Sequence, residues 1–275
     1  KKINIRIKLE SINNLTKERV SDKLQVLNVP LTFQNAFNVK PKDSSRYVLK
    51  CLNLAHNLAK KKIINGFINC AIDKKRTFKV KNMGVTDYLA KKNKVRNSAV
   101  MLIYNKDLAV TPITTHISIK DISKSISRKL IENKIFVLNK FYMRTLKKKP
   151  IIALTGLNPH NDELRKNSEE SKIILPVINK LRKKKIKIIG PFPADTIFSN
   201  KKKYKYDVLV GMYHDQVLAP FKAIYKYNAI NITLGLSYLR ISPDHGTALD
   251  IIAKNKANPV SLIMAINFLL KIKND

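Results

Sequence analysis

The chain has 275 residues, 44% of them apolar, and carries 54 Lys plus Arg against 19 Asp plus Glu, a formal net charge of +35. That apolar fraction excludes a disordered chain, and no apolar run nears the ~18 residues of a membrane-spanning helix. Lys1-Lys2-Ile3 opens neither a signal nor a transit peptide, so a soluble cytoplasmic protein is expected. The lysines fall in short clusters (Lys60–Lys62, Lys147–Lys149, Lys183–Lys185, Lys201–Lys203) with no aromatic RNA-binding signature between them. They read as solvated faces rather than a specific nucleic-acid site, and a drift toward AT-rich codons accounts for abundant Lys, Ile and Asn beside only 7 Gly. Cys51 and Cys70 read as two buried free thiols in a reducing compartment.

Short apolar runs alternate with longer amphipathic ones, the pattern of an α/β chain with a substantial parallel sheet. Helical spacing is predicted over Arg46–Lys60, where Val48, Leu49, Leu52, Leu54, Ala55 and Leu58 share a face, and a strand over Ile63–Ile72. Ser98–Tyr104, Ile151–Thr155 and Asp207–Tyr213 read as buried strands, and the residues just beyond such strands are where α/β sheets gather ligand groups. Asn167 with Glu170 has the spacing of a capping box, and Asn258-Pro259 opens a last helix to Lys271 packed through Val260, Ile263, Met264, Ile266, Phe268 and Leu269.

Three of the five histidines follow apolar runs: His116, His160 and His214. Singly, each is more often a structural histidine; together they suit one divalent ion, with Asp195 and Asp215 able to orient imidazoles or hold water. Lys222, Asn231 and Arg240, nine residues apart, could neutralise a phosphate and a carboxylate, although a chain this basic makes that inference weak alone. Thr86 could reach a phosphate or simply cap a helix starting near Asp87. No Gly-x-Gly-x-x-Gly fingerprint is present, yet the turn His245-Gly246-Thr247-Ala248 could meet a nucleotide, with Asp250 accepting from ribose hydroxyls.

These motifs, in order, are Gly156-Leu157-Asn158-Pro159-His160, Gly190-Pro191, Pro193-Ala194-Asp195-Thr196, Met212-Tyr213-His214-Asp215-Gln216, Asn231-Ile232-Thr233-Leu234-Gly235-Leu236 and Asp244-His245-Gly246-Thr247-Ala248. The set resembles the 4-hydroxythreonine-4-phosphate dehydrogenase family from about Leu27 onward. The resemblance implies a two-lobed isocitrate/isopropylmalate dehydrogenase-like α/β fold with its active site in the cleft between lobes. The expected lobes are 1–80 plus 215–275, binding the nucleotide, and 81–214, carrying the metal site and dimer contacts. It further implies a homodimer with both subunits contributing to each site. His116, His160 and His214 become ligands of zinc, cobalt, manganese or magnesium. Thr86, Lys222, Asn231 and Arg240 become substrate contacts, with Lys222, Asp195 and Asp215 as catalytic or supporting groups. His245, Gly246, Thr247, Ala248 and Asp250 become the NAD site. The implied reaction oxidises 4-phosphohydroxy-L-threonine to 2-amino-3-oxo-4-phosphooxybutanoate, which loses carbon dioxide, in pyridoxal phosphate (vitamin B6) synthesis.

Four departures from the family pattern stand out. A Gly-Asp/Glu-Pro-Ala-Gly-Ile-Gly-Pro segment near the amino terminus is missing, which implies either a truncated chain, the reading favoured by the absence of an initiating Met, or loss of an element of the first lobe. Gly84-Val85-Thr86-Asp87 stands where the family has Gly-His-Thr-Glu, Asn161 to Asn167 replaces a glycine-rich stretch, and Ile252-Ala253-Lys254-Asn255 replaces Ala-Gly-x-Gly. The departures leave two alternatives: a dehydrogenase for 4-phosphothreonate or 4-phosphoerythronate, or a noncatalytic member that binds a partner or polyanion.

Overall fold

A computed structural model describes residues 7–15, 21–35, 38–78, 84–95, 99–252 and 254–272. Among the described residues the strands are β1 (Leu9–Ile12), β2 (Leu24–Leu27), β3 (Gly66–Ile68), β4 (Val100–Tyr104), β5 (Ala109–Pro112), β6 (Ile152–Thr155), β7 (Ile188–Phe192), β8 (Val208–Gly211), β9 (Ile230–Leu234) and β10 (Leu239–Pro243). The helices are α1 (Pro41–Lys60), α2 (Lys74–Thr77), α3 (Val85–Lys92), α4 (Ile122–Ser125), α5 (Arg128–Arg144), α6 (Leu175–Lys183), α7 (Ala194–Ile197), α8 (Lys201–Tyr204), α9 (His214–Tyr225) and α10 (Val260–Lys271).

β1 and β2 form a small parallel pair, and the other eight strands form one mixed sheet in the order β3-β10-β9-β4-β5-β8-β6-β7. β5, β8, β6 and β7 run parallel, while β9 is antiparallel to both its neighbours. β5, β6 and β8 are buried at every position, as a sheet covered on both faces requires. Alternation divides their side chains: Ile152 and Leu154 face a core with Ile131, Ile135 and Leu138 of α5 and Ile178 of α6, whereas Ala153 and Leu209 face Val217 and Phe221 of α9. A third cluster joins Leu52 and Ala59 of α1 to Val85 and Leu89 of α3, with Phe67 and Tyr238.

The α/β class is as expected, and several boundaries move. α1 begins five residues earlier than periodicity alone placed it, because Pro41 sits in its first turn and fixes helical φ without needing a donor. The Ile63–Ile72 strand contracts to Gly66–Ile68, an edge segment paired to β10 alone. β4 starts at Val100; Ser98 lies outside the described residues. On α10, Asn258 Oδ1 accepts from Val260 N–H at 2.9 Å as the cap, but Ile263 and Ile266 are exposed, and Ser261 and Ala265 face the sheet instead. Small side chains let the helix lie close to β9 and β10; Met264, Phe268 and Leu269 pack against the core as expected, while Ile263 and Ile266 turn outward. Both cysteines are free, yet Cys51 is only half-buried and Cys70 exposed, so neither is the buried thiol expected. Among the described residues no helix is long and apolar enough to cross a membrane.

Candidate active site

β9 and β10 form the floor. Thr233 stands opposite Arg240 and Asn231 opposite Ser242, so these four share one face, while Ile230, Ile232, Leu234 and Ile241 enter the core on the other. Arg240 is 3% exposed; its Nε donates to Asn69 Oδ1 at 2.7 Å and Nη1 to Thr233 Oγ1 at 3.0 Å. Burial pushes the guanidinium down to about 10. Among the described residues no carboxylate pairs with it, so a buried positive charge stands on neutral partners alone, a costly arrangement until an anion arrives. Thr233 Oγ1 also lies 3.2 Å from Thr86 Oγ1, on the first turn of α3. The helix there is capped by Asp87, whose Oδ2 accepts Gly84 N–H at 3.0 Å, which leaves the Thr86 hydroxyl for the site. Asn231 adds a buried Oδ1 without a hydrogen-bond partner.

The rings of His116 and His214 lie 5.9 Å apart. His214 is placed by the start of α9 right after buried β8, and its Nδ1 is 2.6 Å from Asp215 Oδ1, which leaves Nε2 for a ligand. Burial, then the charges of Lys74 and His214, hold the His116 imidazole below its usual range, against a smaller pull from Asp87. A neutral imidazole is the form a metal takes, and two N–metal bonds of ~2.1 Å fit between rings so spaced. The pair could therefore supply two of the ligands that a divalent ion needs. His160 sits on the turn Pro159–Leu164 after β6, which packs against α7, the helix of the exposed Asp195. Among the described residues of one chain, no three His, Cys, Asp or Glu side chains group as a metal site.

The His160 turn is unusual backbone. His160, Asn161, Asp162, Glu163 and Leu164 all have φ between 47 and 57°, the left-handed region that favours glycine. Asn161 is buried and donates from Nδ2 to Pro191 O at 3.1 Å, and Glu170, fully buried, accepts from Leu157 N–H (2.7 Å), Asn158 N–H (2.8 Å) and Asn158 Nδ2 (3.0 Å). This overturns the capping box of Asn167 with Glu170. Ser168 Oγ accepts Ser171 N–H, and the Glu170 carboxylate turns inward because two otherwise unpaired amides of the Gly156–Asn158 loop lie beneath it. Gly156 permits that approach, since a Cβ there would stand 2.8 Å from Glu170 Oε1 and 2.2 Å from Asn161 Oδ1.

Lys222, on the last turns of α9, reaches Asp244 with Nζ 2.6 Å from Oδ2 and donates to Asp244 O at 2.7 Å. Burial raises the Asp244 carboxyl against the opposing pull of Lys222. His245, Gly246, Thr247, Ala248 and Asp250 follow as an exposed turn in which Gly246 faces open space. Ala253 lies outside the described residues. Reasoning from sequence missed Asn69, Thr233 and Asp244; the period-2 alternation of Ile230–Leu234 was the signal that put Thr233 beside Asn231.

On this mixed α/β sheet a buried cation stands beside a threonine pair, an arrangement that could receive an anionic group, and two histidines face one another just beyond strand ends. Residues 1–269 match the pyridoxal phosphate biosynthetic protein PdxA family, and the chain belongs to it. It is 42% identical over 192 residues to the 4-hydroxythreonine-4-phosphate dehydrogenase of Sulfurihydrogenibium sp., covering 69% of this chain and 59% of that one. It is 35% identical over 279 residues to that of Wigglesworthia glossinidia brevipalpis, covering 98% and 83%. The solved 4-hydroxythreonine-4-phosphate dehydrogenase of Klebsiella pneumoniae superposes with a TM-score of 0.80 at 29% identity, covering 97% of this chain and 83% of that one. Three of the curated relatives are matched over only 49 to 59% of their own length.

Proposed function

We propose that the chain catalyses NAD-linked, divalent-metal-dependent oxidation of 4-phosphohydroxy-L-threonine to 2-amino-3-oxo-4-phosphooxybutanoate, followed by decarboxylation, in pyridoxal phosphate synthesis. The observation that carries this reading is Arg240, buried with no carboxylate partner among the described residues, one hydroxyl away from Thr86 and on the same sheet face as the unpartnered Asn231 oxygen. Such a cation suits an anionic substrate group, which supplies the missing charge and accepts from the Thr86 hydroxyl. Asn231 is assigned to a substrate donor. Lys222, held by Asp244, is assigned the proton transfer, with Asp215 fixing the His214 ring and Asp195 as a supporting carboxylate. His116, His160 and His214 would hold the divalent ion, which when bound supplies an electrophile that acidifies the reacting hydroxyl. Since the described residues of one chain group no three such ligands, the assignment calls for a homodimer in which a second copy supplies His160. On this reading the lobe of 1–80 plus 215–275 presents His245, Gly246, Thr247, Ala248 and Asp250 to NAD, and the lobe of 81–214 carries the histidines.

The test is NAD reduction by the purified chain with 4-phosphohydroxy-L-threonine, with and without added divalent metal, beside His160→Ala. Metal-dependent turnover lost in the variant is the expected result; equal rates without metal would overturn it. Val85 favours one second reading: it is buried among Leu89 and Phe78, so no side-chain donor stands there, and 4-phosphothreonate or 4-phosphoerythronate enters the same assay as competitor.

A further inference from the structure

Asn69 follows directly on β3, at the edge of the sheet beside β10. Its backbone N–H donates to Ile241 O at 3.1 Å, which carries the β3–β10 ladder one residue past the strand, and its side-chain Nδ2 donates to Cys70 O at 3.0 Å. With backbone and amide both tied, Oδ1 points at Arg240 and accepts from Nε at 2.7 Å. Only one orientation of the amide serves here. A guanidinium only donates and a backbone carbonyl only accepts, so the reversed amide would lose both side-chain bonds.

β10 lies between β3 and β9, and Arg240 is gripped from both sides. Asn69 takes Nε from the β3 flank, and Thr233 takes Nη1 at 3.0 Å from the β9 flank, so the guanidinium cannot turn without breaking a bond. Two of its five N–H donors are used in this way. The other three, one on Nη1 and both on Nη2, meet no acceptor among the described residues. Both acceptors are neutral, and that choice matters at a side chain only 3% exposed. A carboxylate at position 69 would accept the same Nε–H but would also close an ion pair, leaving little of the charge for a ligand.

We infer that Asn69 is a positioning residue for Arg240: it fixes the direction of the guanidinium while leaving the positive charge uncompensated, so that an oxyanion of the substrate meets donors already aimed. The substrate's part in this rests on the function proposed above, whereas the grip on Nε stands apart from it. Asn69 touches no substrate on this reading and acts through Arg240 alone. Two properties of the side chain are thereby separable: an acceptor in the right place, which aspartate shares, and neutrality, which it does not.

The experiment compares the full chain with Asn69→Ala, which removes the acceptor, and Asn69→Asp, which keeps it and adds a charge. Hydrogen exchange at the Arg240 Nε–H, followed in proton–nitrogen correlation spectra and assigned by its loss in Arg240→Met, should quicken about 10-fold in Asn69→Ala and be unchanged or slower in Asn69→Asp. In the NAD-reduction assay KM for 4-phosphohydroxy-L-threonine should rise about 10-fold in both variants, with kcat the less affected. A merely structural asparagine would lower stability and leave KM as it is; that outcome, or Nε–H exchange in Asn69→Ala within twofold of wild type, would overturn the inference. If the wild-type chain reduces no NAD, the proposed function fails, and the exchange rates together with calorimetric titration of inorganic phosphate decide the role of Asn69. Phosphate affinity that is lost in Arg240→Met and weakened in Asn69→Asp supports that role, and affinity equal in wild type and Asn69→Asp overturns it. Either variant suffices if the other does not fold.

Discussion

The β9–β10 pair and the turn after β6 both carry candidate site residues, and they hold them by opposite means. Along the strands, Asn231, Thr233 and Arg240 ride on regular backbone whose ladder bonds and alternate apolar positions fix the register. Along the turn, His160 to Leu164 occupy the left-handed region at roughly 1–2 kcal/mol each, and the conformation is sustained from outside by Asn161, Glu170 and the Pro191 carbonyl. A ladder positions a side chain through many weak constraints, so that one substitution changes chemistry without moving the backbone. A strained turn depends on a few tethers, and losing one moves everything attached.

The comparison can be broken first at Arg240. Arg240→Met should cut kcat/KM by about 10³-fold, roughly 4 kcal/mol, with the urea midpoint unchanged or raised, since a buried unpaired charge is removed; a fall in stability instead would show the guanidinium to be structural. Glu170→Ala is expected to do the reverse, costing about 3 kcal/mol by urea titration, because it strands the Leu157 and Asn158 amides. It should also weaken metal binding by displacing His160.

Lys134, buried on the inward face of α5, gives a pH-dependent contrast. Its folded value of about 8 lies below the 10.5 of an open lysine, so the unfolded chain binds more protons between those values and wild-type stability rises with pH through that window. At pH 7, Lys134→Met should stabilise the chain by about 3 kcal/mol, and melts repeated toward pH 10.5 should show that gain shrink. The smallest effect belongs to the turn. Glu163→Gly should add about 1 kcal/mol by removing a left-handed Cβ, since its exposed pairing with Arg165 contributes little; no gain would mean that the turn is not strained at this residue.

Of the hairpin, β9 was legible in the sequence as a strand-like run, whereas Arg240, expected on the turn after it, lies inside β10. Ile230-Asn231-Ile232-Thr233-Leu234 alternates strictly, and alternation is a local property that survives into the fold. The turn after β6 was not legible, because its conformation is imposed by contacts distant along the chain. Asn167 and Glu170 have capping-box spacing, yet Glu170 is drawn to amides twelve and thirteen residues earlier. The pairing of His116 with His214 depends on β5 lying beside β8, a crossover that no local pattern encodes. Lys134 was hidden among 54 basic residues, although its helical phase with Ile131, Ile135 and Leu138 marked it as facing inward.

The alternation of β9 bears on how much sequence change this site tolerates. Its two faces answer to separate constraints: positions 230, 232 and 234 need only volume and apolarity, which Ile, Val and Leu supply interchangeably, whereas 231 and 233 need particular polar atoms. Substitutions can accumulate on the first set without reaching the second. A strand so divided is a mutational firewall, with the chemistry on one side and a freely rewritable core on the other.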